Sequence, residues 1–531
     1  MSPPSSPRAT RIPSTVVAVF LLTAFAASLA TAPAGAGPMN HGGAPGATAW
    51  TQFQGGVSLS GVTSSNPPGG SLLYRENLSH SLGAGLGNPL ANDFPYQASP
   101  VADGGTVVVA LGNDLLATWA SNGSLRWVST LPGGSGGGPV VGTPVLYGGT
   151  VFVDQDGGPN TLDAYALSNG SLLYSLRTPG GGSPAASSLV IAGGWLGVAD
   201  TAGGFFWHAP SPSGAWYAAA TPGGAAYFAT PSVTDGGGPG ALWVLPDQGN
   251  RSLDVFTPPP SSAPWPGFPE GVGGGADRLF SSAAVATLTE SNGTSVEWAF
   301  FGGDGGSGSP SHLYAASLNQ PGEIISLTVP SLGTADVGIR SSPAVLASGS
   351  SATVVFGNRM GVVSRADLQL GPGGSAAWHW VWNYSTGGPV ESSPAIAGNS
   401  VLVGSEDGSL YALDLATGAL QWSLATQGPV YASLAVENGT AFAVDSQGNL
   451  WAVGGTSPAG APLGPAPGSN PLLGFLVVLG VVIAAAVIIV GLFLRRRDPR
   501  RPPSVSPWAT APTGPPSPPS GSAPPPPPWQ E

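Results

Sequence analysis

Between Ser393 and Ala425 apolar and polar residues alternate in four short runs, SPAIAG, SVLVGS, SLYALD and ALQWSLA, separated by turns such as EDG and LATG. Alternation of period two broken by Gly, Asn and Asp predicts four antiparallel strands joined by tight turns. The Ser-Pro pair that opens the unit, Ser393-Pro394, has counterparts at Ser99-Pro100, Thr143-Pro144, Ser188-Leu189, Thr230-Pro231, Ser282-Ala283, Ser342-Pro343 and Ser433-Leu434. Successive gaps are 44, 45, 42, 52, 60, 51 and 40 residues. Eight units of this length predict an all-β fold, an eight-bladed propeller with four strands per blade.

The last unit contains only LAVENG, TAFAVDSQG and NLWAVG before a Pro/Gly-rich run begins. Three strands would leave an open edge, and SLLYRENLS (71–79) has the form of the missing fourth, so an N-terminal strand is expected to close the ring. WTQFQGG (50–56) is then expected to pack just ahead of that strand, and the ectodomain to run over 50–454.

The ends follow other patterns. Arg8 and Arg11 precede the apolar run 16–30, and AGA at 34–36 offers small residues for cleavage, which reads as a signal peptide over 1–36 with an uncleaved anchor as the alternative. Residues 472–494 are 23 uncharged residues, about 34 Å as a helix, and RRRDPRR follows directly. This predicts one C-terminal transmembrane α-helix with the propeller outside the cell membrane and the tail in the cytoplasm. Residues 455–471 read as a Pro/Gly linker, and 495–531 as a disordered Pro-rich tail whose polyproline segments offer a docking site to a cytoplasmic protein.

Composition narrows the chemistry. The chain has no Cys, which removes disulfides, thiolate metal sites and thiol nucleophiles. It also has no Lys: between Gly37 and Asn470 there are 8 Arg against 25 Asp and Glu, a net −17 that repels nucleic acid. The five His are scattered without ligand spacing. DQDGGPNTLD (154–163) begins like a Ca²⁺ loop but lacks the distal Glu, and is expected to be a solvated blade turn. No nucleophile elbow or phosphate loop has its required partners.

ALDLATGALQW carries Ala412, Asp414, Thr417, Gly418 and Trp422 in the pattern A-x-D-x-x-T-G-x-x-x-W, and resembles the PQQ-type β-propeller repeat. That repeat occurs in quinoprotein alcohol dehydrogenases and in the propeller lipoprotein of outer-membrane assembly. The resemblance weakens in ATWASNGSLRW, where Trp119 replaces the Asp, and in AYALSNGSLLY, where Ala166 and Tyr174 replace the Asp and Trp. It implies a blade-docking role for Trp127, Tyr174, Asp414, Gly418 and Trp422. It also implies, for an active quinoprotein, PQQ with Ca²⁺ held by carboxylate and amide oxygens. No Asp/Glu/Asn set matches those motifs, so no cofactor is expected, and a PQQ-dependent dehydrogenase stands as the alternative reading.

The positions just before the Ser-Pro pairs approach the channel mouth, and they offer Gln97, Arg340, Glu391 and Tyr431. A cation, a carboxylate and an aromatic there suit a small polar ligand; equally, Arg340 and Glu391 can pair with each other. Sequons at Asn77, Asn122, Asn169, Asn250, Asn292, Asn383 and Asn438 are glycosylation candidates, although Asn-Gly is also a favoured hairpin turn. Insertions at 301–312 and 368–380 mark the expected contact face. The reading is a surface binding scaffold for an extracellular protein, a glycan or a small ligand, with a receptor signalling through its tail as a second alternative.

Overall fold

The computed structural model describes residues 49–78, 98–111, 114–131, 142–155, 160–182, 187–234, 240–272, 277–330, 333–372 and 375–455. The expected signal peptide, the transmembrane helix, the tail and the linker beyond Gly455 lie outside these residues. No helix among the described residues is long and apolar enough to cross a membrane.

Eight sheets, each built on four antiparallel strands, form the blades of a propeller, and one of them gains a fifth strand. Blade 1 consists of Val101–Asp103, Thr106–Leu111, Asp114–Trp119 and Leu125–Thr130. Blades 2 to 7 follow over 145–177, 190–218, 232–271, 284–329, 344–385 and 395–425. Blade 8 joins Ala435–Glu437, Thr440–Val444 and Asn449–Gly454 to Ser71–Asn77, which pairs antiparallel with Asn449–Gly454 and closes the ring as expected.

The eight Ser and Thr positions that mark the repeat form a closed ring of hydrogen bonds. The backbone N–H of Ser99 donates to Thr143 Oγ1 (3.1 Å), Thr143 to Ser188 Oγ (2.9 Å), Ser188 to Thr230 Oγ1 (3.0 Å) and Thr230 to Ser282 Oγ (2.8 Å). Ser282 continues to Ser342 (2.9 Å), Ser342 to Ser393 (2.9 Å), Ser393 to Ser433 (3.0 Å), and Ser433 returns to Ser99 (3.0 Å). The innermost strand of a blade is unpaired on its channel side, so each hydroxyl satisfies a buried N–H that would otherwise be orphaned.

The N-terminal segment does the same one layer further along the channel. Rather than packing ahead of the closing strand, Trp50–Gly56 and the residues after it run around the inside of the ring. Trp50 bridges Ala102 of blade 1, and Thr51 O accepts from Leu146 N (2.8 Å) of blade 2. Gln52 Oε1 accepts from Ile191 N (3.3 Å) of blade 3. Val57, Ser58, Ser60 and Gly61 carbonyls accept in turn from Val233, Val285, Val345 and Ile396 of blades 4 to 7, at 2.7–2.8 Å. Val62–Thr63 then pairs parallel with Ala395–Ala397 as a fifth strand of blade 7, and Ser65 Oγ accepts from Gly439 N (2.8 Å) of blade 8. This collar explains why polar Gln52 and Gln54 are buried: Gln54 Nε2 donates to Ser342 O (3.1 Å).

Blades dock through outer-strand aromatics. Trp127 Nε1 donates to Leu167 O (2.9 Å) of blade 2, and Trp422 Nε1 to Pro68 O (3.0 Å) just ahead of the closing strand. Tyr174 packs into the apolar cluster shared by blades 2 and 3. Two aromatics that the motif did not reveal act alike: Trp382 Nε1 donates to Leu415 O (2.9 Å), and Tyr74 packs on Gly123. Asp414 has a different task, since its Oδ1 accepts from Ala416 N, Thr417 N and Thr417 Oγ1 and thereby holds the turn rather than the neighbouring blade. A β-bulge precedes each docking ring at Leu72/Tyr74, Leu172/Tyr174 and opposite Ala117/Thr118, Arg365/Ala366 and Ala412/Leu413, turning the aromatic toward its neighbour.

The strand order separates the two insertions. The connections before the first strand and between the second and third strands lie at the channel-mouth end, whereas first-to-second and third-to-fourth turns lie at the opposite end. The 302–311 loop is therefore on the mouth face and the 371–375 loop on the other, so they do not form one contact face.

Two variants test this scheme. Ser393→Ala leaves Ser342 N–H without its acceptor and is expected to cost about 1–3 kcal/mol in chemical denaturation, while Ser393→Thr keeps the hydroxyl, as Thr143 and Thr230 do, and loses far less. At Gly418, with φ 72°, an added methyl would lie 2.6 Å from Trp382 Cδ2, so Gly418→Ala is expected to lower stability by about 1–3 kcal/mol.

Candidate functional site at the channel mouth

Local packing fixes the mouth residues. Ile339, Val390 and Val430 precede Arg340, Glu391 and Tyr431 and are fully buried, and Ser341, Ser392 and Ala432 follow them into the core. Alternation leaves the middle residue on the other side of the chain, at the mouth. Gly404 makes this possible in blade 7, because any side chain there would collide with Val430 of blade 8.

Arg340 and Glu391 do meet, but neither relies on the other alone. Arg340 Nε donates to Asp304 Oδ2 at 2.8 Å, and its Nη1 stands 3.6 Å from Glu391 Oε1. Arg278 Nη2 donates to the same Asp304 oxygen at 3.0 Å. Arg359 pairs with Glu391 Oε1 through Nη1 and with Asp336 Oδ2 through Nε at 2.9 Å. The guanidinium groups of Arg278 and Arg340 lie 5.5 and 5.2 Å from the Phe280 ring centroid, and Phe228 meets Phe280 edge-on at 5.6 Å. Tyr431 completes the set from blade 8, half-buried. Gln97 lies outside the described residues.

Burial works against charge throughout this cluster. It pushes the Asp304 carboxyl up, but Arg340 and Arg278 outweigh it and hold the group below its ordinary value. Burial raises Glu391 despite Arg359 and Arg340. Glu406, in the turn after the second strand of blade 7, is raised to about 7 by burial and then by the Glu391 charge, with Arg359 and Arg340 opposing. Tyr431 is raised by burial and by Glu406 and Glu391.

Arg278, Asp304, Asp336, Arg359 and Glu406 were not singled out by the Ser-Pro register. Arg359 and Glu406 occupy the same place in successive units, directly after the second strand, and that shared position on the mouth face is the signal that would have found them.

These residues do not fit a divalent cation beside a quinone. Asp304 already accepts from two guanidinium groups and Glu391 contacts two more nitrogens, so a cation would sit against Arg340. Among the described residues no group of three or more His, Asp or Glu is arranged to hold a metal. The Asp154–Asp163 run is not a solvated turn at its ends: both carboxylates are fully buried in strands, and Gln155 Nε2 donates to Asp163 Oδ2 at 2.7 Å.

Two outcomes are expected. Arg340→Ala leaves the fully buried Asp304 with Arg278 alone and should destabilise the domain by about 3–5 kcal/mol in urea. Because the folded Glu406 carboxyl is raised, its stabilising contribution is complete below the unfolded Glu value near ~4.3 and is lost as pH rises through about 7. Glu406→Gln is therefore expected to match the parent chain at pH 4 and exceed its stability at pH 8, read as midpoints of denaturation across that range.

The family model described as "Outer membrane protein assembly factor BamB" matches residues 46–213 and 359–457, half of the chain. No curated protein matches it in sequence. Among solved structures, quinohemoprotein alcohol dehydrogenase from Comamonas testosteroni is similar with a TM-score of 0.54 at 13% identity, over 80% of this chain and 84% of that one. The enzyme ADHIIG from Pseudomonas putida HK5 is similar at 0.54 and 12%, over 80% and 82%. BamB from Moraxella catarrhalis is similar at 0.49 and 14%, over 74% of this chain and 99% of that one. At these identities the two dehydrogenases speak for the fold alone. The matched family model, the closed eight-bladed ring and the repeat stamp agree: the chain belongs to the BamB-type family of PQQ-like β-propellers.

Proposed function

We propose that the protein is a binding scaffold that presents the mouth face of its propeller to a protein partner outside the cell, held at the membrane by residues 472–494. The observation that carries this reading is the asymmetry of the two channel ends. The collar fills the inside of the ring with backbone hydrogen bonds, so access to the channel is from the mouth. There, Arg278 with its side chain 42% exposed and Met360 at 37% stand beside the rigid ion-pair cluster of blades 5 to 7. An apolar and a cationic group held on a stiff frame lose little conformational entropy on association. The family is described as an assembly factor, and the same role for this chain means contact with another protein.

The test is site-specific photocrosslinking of the full chain in membranes of the organism that makes it. A benzophenone side chain at Arg278 or Met360 is expected to give one discrete adduct, and the same group at Trp119, on the opposite face, none. Adducts only from Trp119 would reverse the assignment, and none from any position would end it.

A further inference from the structure

The fold sorts the seven sequons in a way that the sequence does not. All seven Asn side chains are exposed. Asn122 and Asn169 lie in third-to-fourth-strand turns of blades 1 and 2, and Asn292 and Asn438 in first-to-second-strand turns of blades 5 and 8. Every one of these turns is on the face opposite the mouth, and these four are the Asn-Gly-Ser and Asn-Gly-Thr sequons. The other three are placed differently. Asn77 and Asn383 are locked in ladders opposite Asn449 and Ser364, and Asn250 Nδ2 donates to Asp247 Oδ2 at 2.9 Å.

The turn geometry aims the reactive atom outward. Asn122 Oδ1 accepts from Ser124 N (3.0 Å) and Ser124 Oγ (2.8 Å), and Asn169 Oδ1 accepts from Ser171 N (3.0 Å). In each case the carbonyl oxygen of an exposed side chain caps the turn, which leaves the amide nitrogen outside that cap. Thr294 N likewise donates to Asn292 Oδ1 at 2.7 Å, although Asn292 Nδ2 also reaches the exposed Glu290.

A second observation points to what covers this face. Trp119, Leu125, Tyr147, Leu172 and Leu173 are 44–51% exposed, and all belong to the same end of blades 1 and 2 as Asn122 and Asn169. The Trp119 ring is covered on one side by Arg126, 4.1 Å from its centroid, and is otherwise open. An apolar rim of this kind on a protein exposed to water calls for a cover, and a sugar face stacked on indole and leucine supplies one.

We propose that Asn122, Asn169, Asn292 and Asn438 carry N-linked glycans that coat the face opposite the mouth and cover the apolar rim of blades 1 and 2. The donor is a glycan on a polyisoprenoid phosphate. Nδ2 attacks the anomeric carbon, the carbon–oxygen bond to phosphate breaks as the carbon–nitrogen bond forms, the phosphate leaves with the bonding pair, and one amide proton passes to a base of the transferase. The mouth face stays bare, which leaves this inference independent of the partner proposed above.

The experiment is glycopeptide mass spectrometry on the full chain isolated from the organism that makes it, after cleavage at aromatic residues. Glycan mass is expected on Asn122, Asn169, Asn292 and Asn438, with Asn250 unmodified. Bare peptides at those four positions, or equal occupancy at Asn77, Asn250 and Asn383, would overturn it. The double variant Asn122→Asp with Asn169→Asp, which removes the amide nitrogen and keeps a capping Oδ1 in each turn, is expected to bind more of a fluorescent apolar-surface dye than the parent chain. Unchanged dye binding would refute the covering of the rim while leaving the modification itself to the mass measurement.

Discussion

The structure depends on a ring of eight hydrogen bonds from a backbone N–H to the Ser or Thr hydroxyl of the next blade. A propeller blade has two free edges, and the inner one faces a channel too narrow to leave its polar groups unattended. One hydroxyl per blade satisfies one N–H per blade, and the geometry closes only if every blade sits at the same distance from its neighbours. The ring thereby sets the radius of the channel. Within that radius the collar of Trp50–Ser65 can reach all eight blades in order, so the second layer of inner hydrogen bonds depends on the first.

Regularity at the inner edge permits irregularity elsewhere. Blades 4 to 6 have spacings of 52, 60 and 51 residues; the extra residues lie mainly in connections in blades 4 and 5, and in blade 6 they lengthen the third and fourth strands to 9 and 10 residues. Asp304 is carried by one such connection, between the second and third strands of blade 5, and its fully buried carboxylate draws in Arg278 and Arg340. Removing a carboxylate from water is costly, and two guanidinium groups over an aromatic ring offset that cost in a way that a single pair would not. The price is geometric commitment, since the same Arg340 that could have met a ligand is held between Asp304 and Glu391. What remains available at the mouth is the exposed side of Arg278, Met360 and the half-buried Tyr431 and Glu406.

The outer edge obeys a different rule. Docking aromatics preceded by bulges fasten blades 1, 2, 6, 7 and 8 to what lies beside them, and the bulge breaks the flat ladder that would otherwise invite another chain. Where the repeat loses its Asp, as at Trp119 and Ala166, an Asn three residues on takes over the capping of the turn. The substitution preserves the turn and replaces a capping carboxylate with a surface amide.

The sequence by itself determined the number of blades, their boundaries and the strand that closes the ring, because alternation, turn residues and a recurring hydroxyl are local signals. The recurring Ser-Pro register even marked every hydrogen-bond acceptor of the inner ring. It placed Arg340, Glu391 and Tyr431 at one mouth for the same reason, since they hold equal positions in successive units. Only the tertiary structure decided the rest. The collar has no repeat of its own, so nothing in WTQFQGG reveals that Trp50, Thr51 and Gln52 meet blades 1, 2 and 3 in turn. Asp304 and Arg359 lie 87 and 32 residues from Glu391 in the chain, and contacts between blades depend on how far each strand twists before its turn. Which turns share a face, and therefore why the two insertions part company while four sequons come together, follows from strand direction within a closed ring, a property that no single unit contains.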